Sequence, residues 1–493
     1  MPTPNGMAVF ATMLPTTLLV ALAAVGGLLG WLRPGLPASF HRWLGVLALA
    51  GAAAAAVVAF HGVALTNGVG LAAYAGGVVA DRFSTFAVLL LCGTGLLAIL
   101  TSETAQERLG SRLPAYNALI LTATAGGTIL AVQVEMGMLV VGLGLVVISL
   151  VGVVAVEKTA EAPGVAAFRS LVSAGVALAL MLYGLAIVYG ATGSTDLAAV
   201  RGHFVHAAPL EGLGLALTLL GLAYLVGAPP LHHWMLQVAS ASGGAVAGAV
   251  VSLAVAAGGI ALVRVAVSGF STTMHPWVVV AGVLGAAGCL YPALLSVVAG
   301  SVRRLIGLGA CLQGGLVLSA LVGSGLGGDF KPAGGVIALL FSLVVFVLAI
   351  QASFQAVARL EVDGIGGGLA GVRGLARRSP WTAVLLCLGL AGLAGLPPLA
   401  GFLARILIAS SAVAGGYAWV AVASAAASAI YAVTVLRWIA VAFVEDDELA
   451  VVVPSAPRLA SAVGFACAVF GVLALILAGP LLYAADGAAS VLR

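Results

Sequence analysis

Two histidines and one arginine stand out in this sequence, because each follows a pair of prolines within an apolar stretch. His232 and His233 come directly after Pro229, Pro230 and a leucine, and Arg405 follows a similar stretch later in the chain. A histidine exchanges a proton near neutral pH, whereas an arginine keeps its proton. The histidines are therefore candidates for a proton relay, or for polar groups that satisfy backbone carbonyls freed by the prolines. Arg405 must meet water, carbonyls, an anion or a partner chain.

Other kinds of reactive motif are missing from the sequence. It contains no P-loop, no glycine-rich dinucleotide fingerprint, no metal-ligand spacing and no serine or cysteine nucleophile motif. The five cysteines lie in apolar runs without C-x-x-C spacing, which is typical of buried, unreactive thiols. We predict no catalytic residue, no metal and no cofactor in this chain, and the slight net charge of +4 does not indicate nucleic-acid binding.

The elements that position these residues are membrane-spanning helices. The chain of 493 residues is 62% hydrophobic and only 7% charged, which excludes a soluble globular enzyme. The apolar runs are unbroken over twenty or more residues, so they predict an all-α polytopic membrane protein rather than a β-barrel. We count about fourteen spans, at 8–32, 43–65, 84–100, 113–132, 136–156, 165–190, 213–234, 244–268, 276–299, 304–326, 332–357, 382–411, 416–444 and 459–484.

The distribution of basic residues predicts an orientation for these spans. Loops after odd-numbered spans hold eleven Lys and Arg residues, against four in the other loops and the C-terminus. Because cytoplasmic loops are enriched in positive charge, we predict that both termini lie on the outer side of an inner or cell membrane. Arg303 and Arg304 would be anchors of this topology. Arg169 and Arg264 would reach toward opposite surfaces of the membrane from their helices.

A five-residue pattern occurs twice and predicts an internal repeat. The sequence G-x-P-P-L begins at Gly227 in the seventh span and again at Gly395 in the twelfth, five helices later. Paired prolines, Pro397 and Pro398 in the second copy, remove backbone donors and break a helix. An odd helix offset reverses the second copy, so the pattern is typical of an inverted repeat with two broken helices around a transport path. We predict four regions: 1–112, a five-helix repeat 113–268, its counterpart 276–444, and 445–493.

The sequence around these motifs resembles the antiporter-like membrane subunits of proton-translocating NADH:quinone oxidoreductase, respiratory complex I, and most of all subunit N. The similarity runs from about Gly76 to Val444, and the loop GATGSTDL favours subunit N. GLPPLAGF is fairly specific to the superfamily, which also includes multisubunit Na+/H+ antiporters and membrane-bound hydrogenases. The segments that carry the resemblance are Gly395–Phe443, Ser301–Gly315, Ala166–Ala198 and Pro229–Trp234.

The resemblance implies a row of membrane-buried Glu and Lys side chains that relay protons, but this chain lacks them. The family's helix-five glutamate falls at Val146, its helix-seven lysine at Leu225 and its helix-eight lysine at Val255 or the next residue. A histidine often found in helix ten falls at Gln313, and the helix-twelve lysine at Arg405. The two lysines of the chain, and all sixteen acidic residues, are predicted in loops or at helix ends. The remaining candidates for a proton path are His232, His233, Arg405, Gln313 and Arg169.

These observations together predict a divergent membrane-arm subunit of a complex I-type enzyme. It would be impaired in proton translocation, would act as a structural or coupling member, and would leave redox chemistry to partner subunits. Its predicted partners are other membrane subunits and the lipid bilayer. The alternatives are a subunit of a multisubunit Na+/H+ antiporter, of a membrane-bound hydrogenase or of an inorganic-carbon-uptake complex.

Overall fold

A computed structural model describes residues 6–65, 71–73, 76–157, 161–203, 209–270, 276–323, 333–444 and 458–492. Lys158, Lys331 and the acidic run Glu445–Glu448, which the sequence places in loops or at helix ends, lie outside the described residues. The prediction of an all-α protein is confirmed, apart from one antiparallel hairpin that pairs Leu71 with Ala80.

The helices and strands run in one long order along the chain. They are α1 Gly6–Leu32, α2 Ala38–Leu65, β1 Leu71–Ala73, β2 Val78–Ala80, α3 Arg82–Thr101, α4 Gln106–Leu109, α5 Leu113–Val132, α6 Met136–Val156, α7 Glu161–Thr192, α8 Leu197–His203, α9 Pro209–Ala223, α10 His233–Ala241, α11 Gly244–Ser268, α12 Pro276–Ser296, α13 Val302–Val322, α14 Ala333–Val362, α15 Leu369–Val372, α16 Leu375–Arg378, α17 Pro380–Ala394, α18 Ala400–Ala414, α19 Ala418–Ala442, α20 Arg458–Ile476 and α21 Ala478–Ala489.

Twelve helices among the described residues are long and apolar enough to cross a membrane. A helix rises 1.5 Å per residue, so about 20 residues cross the roughly 30 Å hydrocarbon layer. The figure of fourteen is reached only if α9 with α10, and α17 with α18, are each counted as one broken span. It therefore stays a prediction.

Helix α11 forms the centre of the bundle. Every residue from Gly244 to Val267 is buried, and the helix packs against α3, α5, α6, α13 and α14. Glycines let these helices approach closely: a Cβ on Gly258 would lie 2.6 Å from Cβ of Leu225, and one on Gly244 would lie 2.5 Å from the backbone of Ala358. Small residues at such contacts are how membrane helices pack without a hydrophobic driving force.

Both predicted helix breaks are present, and they share one backbone pattern. Gly227 and Gly395 adopt φ values of +68° and +63°, a conformation that favours glycine. In the first break the Ala228 amide donates to the carbonyl of Ala223 at 3.1 Å, and in the second the Leu396 amide makes the matching bond at 3.0 Å. Such a left-handed glycine ends a helix while satisfying its last carbonyls. The prolines that follow then prevent the helix from resuming at once.

Candidate functional site

The first break, between α9 and α10, places two histidines side by side. His232 is only 4% exposed, and neither of its ring nitrogens has a hydrogen-bond partner among the described residues. Its ring lies 4.2 Å from that of His233 and meets Tyr291 edge-on at 4.8 Å between centroids. His233 is exposed. The break thus holds one buried imidazole among apolar and aromatic groups.

The predicted relay positions near this break lie in a closely packed apolar core. Val146, Leu225 and Val255 are at most 1% exposed. A Cβ on Gly126 would lie 2.8 Å from the backbone nitrogen of Val146, so α5 and α6 are in close contact there. The void beside Leu225 measures about 10 Å³, at or below the space that one water molecule needs. This half of the molecule has no room for a water chain at these positions.

The second break, between α17 and α18, has a polar interior instead. Nη2 of Arg405 donates a short hydrogen bond to the carbonyl of Leu393. Arg405 also lines a cavity of about 20 Å³ together with Gln313 and Ser342, and Nε2 of Gln313 donates to Oγ of Ser342 at 3.2 Å. The cavity is large enough for about one water molecule. The structure therefore brings together two of the sequence-predicted candidates, Arg405 and Gln313.

Helix α13 lies between the two breaks. Its Gln313 borders the cavity at the second break. The adjacent Gly314 faces the first, where a Cβ would collide with the carbonyl oxygen of Val226. A single turn of α13 thus contacts both broken helices, so a displacement of α13 would be felt at both.

The predicted candidate Arg169 does not join this region. Arg169 is exposed on α7, where its long side chain can reach an interface.

Arg264 corrects the sequence interpretation, which directed it to the surface. It is 2% exposed, and its Nη1 donates to Oδ2 of Asp81 at 2.6 Å while Nε donates to the carbonyl of Gln133 at 3.2 Å. The reason is that Asp81, which caps α3 just after β2, supplies a buried carboxylate, and a paired charge is stable where a lone one is not.

A second charged site, which the sequence did not indicate, lies at the N-terminus of α11. Four side chains form it, and we call them the four-charge cluster: Arg108, Glu157, Arg303 and Glu361. Arg108 bridges the two carboxylates, at 3.4 Å from Glu157 and 3.2 Å from Glu361, and Arg303 pairs with Glu361. Arg303, predicted as a topology anchor only, is thus also an internal ion-pair partner.

The cluster also satisfies the free backbone amides at the start of α11. Both carboxylate oxygens of Glu157 accept from the amide of Gly243, at 3.1 and 3.0 Å, and those of Glu361 accept from Gly244. Carboxylates at a helix N-terminus are stabilised by the helix dipole. Burial nevertheless raises the pKa of Glu157, against the opposing effects of the Gly243 amide and of Arg108. Only a glycine fits at 243, because a Cβ would lie 2.8 Å from Nη1 of Arg108.

Sequence reasoning missed this cluster because its members are separated by up to 253 residues. Each one alone resembles a solvated loop or helix-end charge. One signal was available: Gly243 and Gly244 open an apolar helix without any Ser, Thr, Asp or Asn cap of their own. A buried helix start without a local cap requires acceptors from elsewhere.

The family of this chain follows from comparison with known proteins. Residues 134–430 match the family described as NADH:quinone oxidoreductase/Mrp antiporter, TM. The chain is 31% identical over 355 residues to NADH-quinone oxidoreductase subunit N 1 of Symbiobacterium thermophilum, which covers 70% of each protein.

Solved structures agree with this match. A chain of respiratory complex I from Thermus thermophilus, solved with bound aureothin, superposes with a TM-score of 0.77 at 26% identity, covering 95% of this chain and 98% of that one. A chain of the Mrp complex from Dietzia superposes with a TM-score of 0.82 at 18% identity over 97% of both, which shows a shared fold. The chain is a multi-pass membrane protein and belongs to the NADH:quinone oxidoreductase/Mrp antiporter transmembrane family.

Proposed function

We propose that this chain is an N-type membrane-arm subunit of a complex I-type NADH:quinone oxidoreductase that does not translocate protons by itself. The assignment to complex I is supported by the 31% identity to a subunit N and by the 26% identity to a chain of a complex I structure. The Mrp likeness, at 18% identity, supports the fold and nothing more specific.

The observation that carries the loss of pumping is the chemistry of the relay positions. A proton relay inside a membrane needs side chains that alternate between charged and neutral forms. Val146, Leu225 and Val255 cannot do so, and their surroundings leave no space for a row of waters. Arg405 stays protonated. The role that remains is structural: the chain completes the membrane arm and holds neighbouring subunits in place.

The stoichiometry of pumping tests this proposal. The complete complex and a complex lacking this chain are reconstituted in vesicles, and the number of protons moved per electron is measured at matched NADH oxidation rates. We expect the same ratio for both. A clear fall in the ratio without the chain would refute the proposal.

A pair of substitutions provides the same test if the complex does not assemble without the chain. His232 and His233 are the histidines at the first break, and we expect the double variant His232→Gln, His233→Gln to keep the ratio of the complete complex. A lower ratio in that variant, with NADH oxidation intact, would show that the histidines carry protons and would overturn the proposal.

The identity of the parent complex has its own test, purification in mild detergent. Flavin and iron–sulfur subunits that copurify with the chain would support a complex I-type enzyme. Copurification of antiporter subunits alone, or of a nickel-iron or zinc catalytic subunit, would instead support one of the alternatives predicted from the sequence.

We further propose that both termini face the outer side of the membrane and that the helices form four regions, with five-helix repeats at 113–268 and 276–444. The excess of basic residues in the odd-numbered loops supports the orientation. The matching backbone of the two breaks supports the repeats. Labelling of single cysteines introduced near each terminus by a membrane-impermeant reagent tests the orientation.

A further inference from the structure

Arg405 is a cation that no described carboxylate of this chain neutralises. Nη2 donates to the carbonyl of Leu393, but Nη1 is buried and has no hydrogen-bond partner among the described residues. The ion pairs found in the described part of the chain do not include it. Charged side chains inside a membrane are costly unless they are paired, so the isolated chain is electrostatically incomplete at this point.

The depth of Arg405 restricts what could complete it. Arg405 is the sixth residue of α18, roughly 8 Å from the break and roughly 14 Å from the other end of that helix at 1.5 Å per residue. Helix α17 extends a further roughly 22 Å on the other side of the break. Since the hydrocarbon layer is about 30 Å thick, Arg405 lies well inside it, away from lipid phosphates.

Water alone does not solve the problem. The small cavity that Arg405 shares with Gln313 and Ser342 measures about 20 Å³, which is space for about one water. A water can satisfy the hydrogen bond of Nη1, but it does not neutralise the charge. An anion is required, and among the described residues this chain does not offer one.

A groove leads from Arg405 to the outside of the bundle. A cavity of about 320 Å³ lies between α18 and α19 and is walled almost wholly by apolar groups, with Arg405 as its charged member. Ser428 also lines it and has a buried hydroxyl without a hydrogen-bond partner. Phe402 and Ile406, 42% and 46% exposed, line the groove from α18. The groove thus combines apolar walls with one cation and one free hydroxyl.

We propose that this groove docks a membrane helix of a partner subunit and that an aspartate or glutamate on that helix pairs with Arg405. Apolar walls fit the body of a transmembrane helix, and the buried guanidinium and hydroxyl fit one carboxylate, to which arginine binds with two donors. The partner is a protein helix rather than a lipid headgroup because of the depth of Arg405. The inference rests on the proposed function only in requiring that the chain works within a multisubunit membrane complex.

Site-specific crosslinking in the intact complex tests the occupant. A photoreactive amino acid replaces Ile406 in the groove, and another replaces Ile148, an exposed residue of α6, as a control. After illumination in mild detergent, we expect the Ile406 probe to label a membrane helix of another subunit, with an Asp or Glu within one turn of the labelled residue. Labelling of lipid alone, of this chain's own residues, or of a helix without an acidic residue would overturn the proposal.

Charge reversal tests the ion pair itself. We expect Arg405→Glu to lower copurification of the crosslinked subunit by about tenfold or more, since like charges then meet, and a Lys in place of the partner's acidic residue to restore it. The matched control is Arg437→Glu, at an exposed arginine of α19, which should retain the partner. Unchanged copurification in Arg405→Glu, or no restoration by the partner's change, would overturn the pairing.

A third variant guards against simple misfolding. Arg405→Met removes the charge and keeps an apolar side chain, so the isolated chain should unfold at the wild-type temperature or higher while the complex loses the partner. An Arg405→Met chain that unfolds at a lower temperature would show that Arg405 is satisfied within this chain, against the proposal. None of these results depends on the proton-to-electron ratio, so a failure here is distinct from a failure of the proposed function.

Discussion

The two broken helices are built alike and differ in what surrounds them. Gly227 and Gly395 end their helices with the same left-handed turn and the same hydrogen bond. Around the first break the relay positions Val146 and Leu225 are packed against neighbouring helices with a void of about 10 Å³. Around the second, Arg405 lies between a small polar cavity and a larger apolar one.

This difference teaches that backbone geometry and proton chemistry are separable in the fold. The broken helix depends on glycine and proline and survives intact in both halves. Relay chemistry depends on side chains and on space for water, and the first half has neither at the predicted positions. The second half keeps a polar interior but carries an arginine, which fixes its charge instead of passing it on.

The largest effect should come from placing a carboxylate in each region. Val146→Glu puts an unpaired charge into a site without space, and we expect a loss of about 3–5 kcal/mol in the free energy of unfolding. Gln313→Glu places the same group beside the cavity that Arg405 lines, so the loss should stay below about 1 kcal/mol because the new carboxylate gains a cation. Unfolding of the purified chain in detergent measures both, and equal losses would show that the two regions do not differ.

A second comparison concerns the glycines of the breaks. Gly227→Ala and Gly395→Ala should each lose about 1–2 kcal/mol, because alanine is strained at positive φ. Gly395→Ala should lose roughly 1 kcal/mol more, since its Cβ collides with the guanidinium of Arg405. At Gly227 the Cβ meets only the flexible end of Met235, at 2.6 Å. Thermal unfolding of both variants checks the order, and a larger loss in Gly227→Ala would contradict it.

The buried histidine of the first break offers a smaller effect of opposite sign. Because both ring nitrogens of His232 lack partners, His232→Leu should raise the free energy of unfolding by about 1–2 kcal/mol. His233→Leu is the control and should change little, since His233 is exposed. Denaturant titration measures both. A loss of stability in His232→Leu would mean that the ring is hydrogen-bonded to water, so the first break would be as wet as the second.

The smallest effect should appear at the polar cavity. Gln313→Leu and Ser342→Ala each remove the hydrogen bond between these two side chains and should each lose about 1 kcal/mol. The double variant should lose less than the sum of the two, because both changes remove one bond. Strictly additive losses would show that this bond does not contribute to stability.

Much of the fold could be predicted from the sequence, and the family prediction is confirmed. Long apolar runs predicted the helices, and the paired prolines predicted both breaks. The candidate residues fared unevenly: Arg405 and Gln313 come together, whereas Arg169 is exposed on α7 and Arg264 is buried against Asp81. Their roles in a proton path stay predictions. The four-charge cluster was missed because nothing local distinguishes Glu157 or Glu361 from surface charges.

The sequence by itself determined the membrane environment, the helices, their two breaks and the absence of relay side chains at the matched positions. These properties depend on residue type and on neighbours a few positions away, as hydropathy and proline sterics do. Tertiary structure alone decided which charges are neutralised. Glu157 and Glu361 meet their arginines and amides across long stretches of chain, and Arg405 meets no described carboxylate. Electrostatic energy depends on distance in space and on local solvation, and neither can be read from order along the chain.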